Sequence, residues 1–188
     1  DEISQKNFNK ELYKLTTEDQ FYLARTNIEQ VLSGIRVATC LCGKAGTGKT
    51  KLVSDILHQV SGSAKIVYLK GGDIRKPTDL YDMLLETNGP NTIVVFDDFD
   101  QPFVKKDFNS ILKGMFDSSM RIISSFDQKH GGKKQKDNQI NLKSRFIIVT
   151  NISKNKMDAA IESRLNPVEI VAASKDMLDY INMNLDNV

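Results

Sequence analysis

The stretch Gly43-Lys44-Ala45-Gly46-Thr47-Gly48-Lys49-Thr50 is a complete phosphate-binding loop of the pattern G-x-x-x-x-G-K-T. Its glycines let the backbone wrap closely, so that successive N–H groups point at phosphate oxygens. Lys49 would reach the β and γ phosphates, and Thr50 would hold Mg²⁺ through its hydroxyl. Lys51 continues into a helix whose positive dipole end faces the same anion. The stretch therefore predicts a site for a nucleoside triphosphate with Mg²⁺.

The segments on either side of the loop have the pattern that such a site needs. Residues 35–42 read as a largely buried strand, and residues 51–60 carry apolar side chains at 52, 53, 56, 57 and 60. That spacing places the apolar side chains on one face of a helix. A glycine-rich turn without a ligand is the alternative, and the strand-loop-helix context disfavours it.

Length and composition place the chain in a broad class. Its 188 residues can form one substantial core. No apolar run approaches the roughly 18 residues that span a bilayer, and no signal peptide is visible. We therefore expect a cytoplasmic protein with no membrane contact. Cys40 and Cys42 are expected to be buried, reduced thiols, which fits a reducing compartment. Because the chain starts at Asp1, we expect it to be part of a longer protein.

Strand and helix patterns alternate along the chain, which favours an α/β fold with a parallel sheet. A leading helix is predicted over 17–33, with Thr17 opening a capping box. The remaining predicted strands are 65–69, 92–96, 145–150 and 168–171. The remaining predicted helices are 78–87, 104–117, 157–163 and 174–185.

Acidic and amide side chains follow two of the predicted strands. Asp97-Asp98 comes directly after four apolar residues, and ligands in parallel sheets bind at this edge. Asp97 is predicted to hold Mg²⁺, and Asp98 to polarise the attacking water as general base. Asn151 ends the strand of residues 145–150 and could hydrogen-bond that water or the γ-phosphate. Arg164 ends a short helix, where it either complements the helix dipole or reaches the γ-phosphate of a neighbouring subunit.

This ordered set of motifs resembles the AAA+ ATPase family over residues 35–171. The resemblance implies a P-loop NTPase fold with the five parallel strands in the order 5-1-4-3-2, flanked by helices. It implies ATP and Mg²⁺ as cofactors and self-association into a ring, taken as a hexamer, with active sites between subunits. In that family Asn151 would be sensor 1, and Arg164 the finger that acts in trans.

A β-hairpin insertion is predicted over 121–142, before the fourth strand. Residues 129–145 carry six Lys or Arg residues against one Asp, whereas the whole chain has a net charge of only +2. A local basic segment suggests a polyanion contact. Five tip residues are predicted to contact the backbone of single-stranded DNA, although a solvated loop is the alternative. They are Lys129, His130, Lys133, Lys134 and Lys136.

The run Asp127-x-Lys129-His130 and the tandem acids Asp97-Asp98 are similar to viral superfamily 3 helicases, and phage-encoded AAA+ ATPases share much of the pattern. Lys143-Ser144 stands where superfamily 3 usually has Pro-Pro. The resulting hypothesis is an oligomeric DNA helicase or translocase of viral or phage replication, located in the host cytoplasm.

Three hypotheses about function are compatible with the sequence, and the helicase or translocase ranks first. The second is a nucleotide-switched loader or scaffold that recruits a replication or packaging partner without unwinding. A protein remodeller ranks last, because the hairpin tip lacks aromatic residues. The predicted organisation is a helical lead-in over 1–34, the ATPase core over 35–173 and a C-terminal helix over 174–188 in place of a full lid.

Overall fold

A parallel five-stranded sheet forms the centre of the computed structural model, which describes residues 15–60, 62–124 and 139–171. The strands are β1 (Ala38–Cys42), β2 (Lys65–Lys70), β3 (Thr92–Asp97), β4 (Ile122–Ser124), β5 (Gln139–Asn141), β6 (Arg145–Val149) and β7 (Val168–Glu169). The helices are α1 (Thr17–Leu32), α2 (Lys49–Val60), α3 (Pro77–Thr87), α4 (Gln101–Val104), α5 (Asn109–Met115) and α6 (Ala159–Leu165).

The strand order of the sheet is β2-β3-β6-β1-β7, and each neighbouring pair is parallel. Counted along the chain without the hairpin strands, this is the predicted order 5-1-4-3-2, so the predicted fold class is confirmed. Strand β6 therefore lies between β1 and β3, although it follows them by many residues in the sequence. This placement brings the carboxyl ends of the three strands together.

The sheet has a hydrophobic cluster on each face, because successive residues of a strand point to opposite sides. In β3, Ile93 and Val95 belong to the cluster covered by α1 and α2. Val94 and Phe96 belong to the other cluster, which is covered by α3, α5, α6 and the hairpin. Both cysteines, Cys40 and Cys42, are free thiols in the second cluster, as expected.

Strands β4 and β5 pair antiparallel, with Ile123 opposite Ile140, and both side chains are buried against the core. The base of the predicted hairpin is therefore confirmed. Its tip lies outside the described residues, and so do the predicted nucleic-acid contacts. The predicted helix over 174–185 also lies outside them, and the domain boundaries at 34 and 173 stay predictions.

Several predicted boundaries were wrong for local reasons. The cap of α1 is Thr16, whose side chain accepts from the backbone N–H of Asp19 while the Asp19 carboxylate accepts from the Thr16 N–H. The predicted helix over 104–117 is broken, because Lys105 is extended (φ −97°, ψ 120°) between α4 and a short 3₁₀ turn. Strand β1 begins at Ala38, three residues after the predicted start, and Ile35 is exposed.

No helix in the described part of the chain is both long enough and apolar enough to cross a bilayer.

Candidate active site

The candidate site lies at the carboxyl edge of the sheet, where β1, β6 and β3 end side by side. The phosphate-binding loop follows β1 and leads into α2, which begins at Lys49. Asp97 ends β3, and Asn151 follows β6 by two residues. Three segments far apart in sequence thus converge where ligands bind in parallel sheets.

At three positions the loop backbone has a conformation that only glycine adopts readily. Gly43 has φ +132°, and Gly46 and Gly48 each have φ +77°. An L side chain is strained in this left-handed region. A Cβ on Gly43 would also overlap the carbonyl oxygen of Ile170, which follows β7. The start of the loop is therefore packed closely against the neighbouring strand end.

Lys49 is buried within the loop and is held by the loop's own carbonyl groups. Its side chain Nζ donates to the carbonyl oxygens of Gly43 (2.9 Å) and Lys44 (2.7 Å). It also lies 3.3 Å from Thr47 Oγ1 and 3.4 Å from Asn151 Oδ1. Burial lowers the pKa of Lys49, and nearby carboxylates, chiefly that of Asp100, oppose the shift. The ammonium thus lies where a phosphate group would enter.

Thr50 and Asp97 form an oxygen pair that fits a hard cation. Thr50 Oγ1 donates to Asp97 Oδ1 at 2.9 Å, and the backbone N–H of Asp98 donates to the same oxygen at 3.1 Å. Magnesium prefers a few carboxylate or hydroxyl oxygens and fills its remaining positions with water and phosphate. The residues present fit Mg²⁺ in the predicted roles.

Asp98 and Asn151 lie within hydrogen-bond distance of each other. Asp98 has φ +56°, and its Oδ1 accepts from Asn151 Nδ2 at 3.3 Å. The Asp98 side chain is exposed at the edge of the site. Because the other end of the Asn151 amide faces Lys49, a phosphate bound to Lys49 would lie near both Asp98 and Asn151.

Asp100 is a site residue to which the sequence reasoning assigned no role. Its Oδ1 accepts from Thr150 Oγ1 (2.6 Å) and from the Asn151 backbone N–H (2.7 Å). Its Oδ2 accepts from Asn151 Nδ2 at 3.2 Å. The only available sequence signal was a third acidic residue close behind Asp97-Asp98, at the same sheet edge.

Arg164 and Lys51 make other contacts in the single chain. Among the residues that the structure describes, Arg164 donates to the Ala160 carbonyl (2.8 Å) and approaches Asp117 Oδ2 (3.5 Å) rather than the phosphate loop. Its predicted role in trans stays a prediction. The Lys51 ammonium pairs with Asp55 along α2 at 3.0 Å, so its contribution to the site would come from the backbone N–H.

A cleft of about 660 Å³ lies between the start of α1 and the end of β7. Its apolar lining comes from the start of α1 and the end of β7 and includes Leu15, Leu23, Val168 and Val171. Gln20 joins the two sides, because its Nε2 donates to the Leu15 carbonyl and its Oε1 accepts from the Val171 N–H at 2.9 Å. Val171 directly follows Ile170, the residue packed against Gly43.

A phosphate loop, an acidic strand end and a polar strand end on one parallel sheet define a P-loop nucleotide-binding protein. Residues 39–172 match the sequence profile of AAA, the ATPase family associated with various cellular activities. The match covers more than half of the chain, so the chain belongs to the AAA family and is a nucleotide-binding ATPase domain.

Solved structures support the fold. The RuvB Holliday junction branch migration motor of Thermotoga maritima is 14% identical with a TM-score of 0.50, over 81% of this chain and 43% of that one. A point variant of the same protein is 12% identical with a TM-score of 0.50, over 83% and 46%. This chain thus spans less than half the length of those proteins. A sequence comparison with curated proteins finds no match.

Proposed function

We propose that this AAA-family domain is the Mg²⁺-dependent motor of an oligomeric DNA helicase or translocase in viral or phage DNA replication. The observation that carries the proposal is the position of the hairpin relative to the nucleotide site. Strand β5 ends at Asn141, and β6 begins at Arg145 and leads to Asn151 beside Lys49. One strand therefore connects the hairpin base with the side chain that would face the γ-phosphate.

Arg121 supports this coupling, because it attaches the start of the hairpin to β6. Its guanidinium lies 5.3 Å from the centre of the Phe146 ring and donates to the Ser144 carbonyl. Its Nε also donates to the Met115 carbonyl at 3.4 Å. Guanidinium contacts of this kind fix direction as well as distance. A displacement of β6 would thus be passed to the hairpin rather than absorbed between them.

In the proposed reaction the loop binds the triphosphate of ATP. Lys49 exchanges its bonds to the Gly43 and Lys44 carbonyls for bonds to the β and γ phosphates. Asp98 accepts a proton from the attacking water, and Asn151 orients that water or the γ-phosphate. Mg²⁺, held by Thr50 and Asp97, would supply charge neutralisation between the phosphates. The base is proposed to enter the cleft between α1 and β7, whose lining combines apolar side chains such as Leu23 with polar ones such as Asn27.

The active form is proposed to be a ring, taken as a hexamer, in which Arg164 of one subunit completes the site of the next. Arg164 has an exposed fraction of 34% and is held by Asp117. The backbone N–H groups of Met120 and Ser119 hold the pKa of Asp117 well below its usual range, so this carboxylate stays charged opposite the guanidinium. The Thermotoga protein of similar fold is a Holliday junction branch migration motor, which favours a DNA substrate.

The hairpin tip supplies the test of DNA action. We expect single-stranded DNA to stimulate ATP turnover, and Lys129→Ala/His130→Ala to remove most of that stimulation while basal kcat stays within about twofold. Each lost phosphate contact should also reduce the slope of log affinity against log salt by about 0.7. Lys65→Ala is the matched control, because this exposed lysine begins the outer strand β2 and is not part of the hairpin.

The outcome also separates the two leading functions. Stimulation by DNA together with strand displacement supports the motor. Slow hydrolysis that DNA does not change, but that a replication or packaging protein accelerates, would instead support the nucleotide-switched loader or scaffold. In that case the tip variant should behave like Lys65→Ala in every assay.

A further inference from the structure

Asp100 holds Asn151 by both its backbone and its side chain. One carboxylate oxygen accepts from the Asn151 N–H at 2.7 Å and from Thr150 Oγ1 at 2.6 Å. The other accepts from the Asn151 amide nitrogen at 3.2 Å. Charge-assisted bonds of this length are stronger than neutral ones. The position of Asn151 thus depends on a residue about fifty positions earlier in the chain.

The backbone that carries Asp100 is itself fixed. Phe99 is fully buried, and its N–H donates to the Val149 carbonyl at 3.0 Å. Its ring packs against Phe96 (4.9 Å between centroids) and Phe103 (5.3 Å). Gly71 approaches so closely that an added Cβ would lie 2.6 Å from the Phe99 Cα. The backbone next to Asp100 is therefore held against the end of β6.

These contacts decide which end of the Asn151 amide faces the nucleotide site. Its NH₂ group donates to Asp98 Oδ1 (3.3 Å) and Asp100 Oδ2 (3.2 Å), and its oxygen faces Lys49 Nζ (3.4 Å). A reversed amide would direct its NH₂ at the ammonium and its oxygen at two carboxylates. Both contacts are repulsive, because an amide NH₂ only donates and a carboxylate only accepts.

We propose that Asp100 is a positioning residue for ATP hydrolysis, which orients Asn151. The inference rests on the proposed ATPase reaction and on the assignment of Asn151 to it. Asp100 is then needed for turnover more than for nucleotide binding, because its three side-chain hydrogen bonds all go to Thr150 and Asn151, directly after β6.

The first test is Asp100→Asn, assayed for kcat, KM and ATP binding. An amide cannot accept all three hydrogen bonds, and its NH₂ would face the NH₂ of Asn151. Since a misplacement of about 1 Å can reduce a rate on the order of 100-fold, we expect kcat to fall about 10- to 100-fold while KM changes less than about threefold. Asp107→Asn is the matched control, since it removes one exposed carboxylate from the nearby 3₁₀ turn. It should behave like the wild type.

A double-mutant cycle distinguishes positioning from a general structural role. In an Asn151→Ala background, Asp100→Asn should reduce kcat by less than about twofold further, because residues that act as a unit are not additive. A multiplicative loss would overturn the inference. Thr150→Val is a second variant, which removes one donor to Asp100 and the acceptor of the Ile152 N–H. Thr150→Val should reduce kcat less than Asp100→Asn does, and this loss should also disappear in the Asn151→Ala background. If Asp100→Asn does not fold, the result for Thr150→Val tests the inference in its place.

The two proposals fail in different ways. A wild-type chain that neither binds nor hydrolyses ATP in any assembly state contradicts the proposed function. A wild-type chain that hydrolyses ATP, with Asp100→Asn equal to Asp107→Asn, contradicts only the role of Asp100.

Discussion

Gly43→Ala should destabilise the fold strongly, because two independent features of the structure exclude a side chain there. Gly43 has φ +132°, a conformation in which L residues are strained. An added Cβ would overlap the Ile170 carbonyl oxygen and lie 3.3 Å from its carbon. The Ile170 N–H also donates to the Cys42 carbonyl at 2.8 Å. The two backbones therefore cannot separate without losing a hydrogen bond of the β1–β7 pair.

The expected magnitude follows from adding these effects. Backbone strain in a sparsely populated region costs about 1–3 kcal/mol. Overpacking with a forced backbone shift costs about 1–3 kcal/mol more. A total near 4 kcal/mol would lower Tm by about 8–16 °C for a chain of this size. Urea unfolding followed by circular dichroism measures the free energy directly.

Two other glycines provide matched controls. Gly46 has φ +77°, but an added Cβ meets no atom within 4 Å, so Gly46→Ala should show strain alone, about 1–2 kcal/mol. Gly72 has neither feature, so Gly72→Ala should lie within about 1 kcal/mol of the wild type. If Gly43→Ala is no less stable than Gly46→Ala, the close contact between the loop and the end of β7 is wrong.

Three further predictions concern the site and the core. Lys49→Ala should abolish turnover and weaken ATP binding more than about tenfold by calorimetry, since the loop loses its buried cation, and residual hydrolysis would contradict this role. Asp98→Asn should retain ATP binding but lower kcat by about 10²–10⁴, and an unchanged kcat would exclude it as the base. Burial raises the pKa of Cys42 from 9.0 to about 11, so the unfolded state releases this proton first as pH rises. Stability should therefore fall above pH 9 by up to about 1.4 kcal/mol per pH unit, and the fall should be smaller in Cys42→Ala.

The phosphate loop and the acidic end of β3 could be predicted from the sequence because their signals are local. Glycine spacing, a lysine at the start of a helix and an apolar run before Asp97 are all contained in short windows. The strand order was predicted through family resemblance, since periodicity identifies strands but not their neighbours. The hairpin base could be predicted from local sequence, because two short β-like runs flank a polar segment.

Local patterns failed where a distant contact or a backbone break decided the result. The helix predicted over 104–117 is interrupted, because the backbone is extended at Lys105, and Phe103 and Phe108 on either side of it are both buried. The capping box of α1 was displaced by one residue, since two adjacent threonines fit the motif and only the hydrogen bonds distinguish them.

The sequence by itself predicted a nucleoside triphosphate site at the carboxyl edge of a parallel sheet, because the residues of the phosphate-binding loop are contiguous. Only the tertiary structure decided how the side chains of that edge are paired. The insertion of β6 between β1 and β3 places Asn151 between Lys49 on one side and Asp98 and Asp100 on the other. Such pairings depend on which strands become neighbours, and that is determined by packing of the whole core.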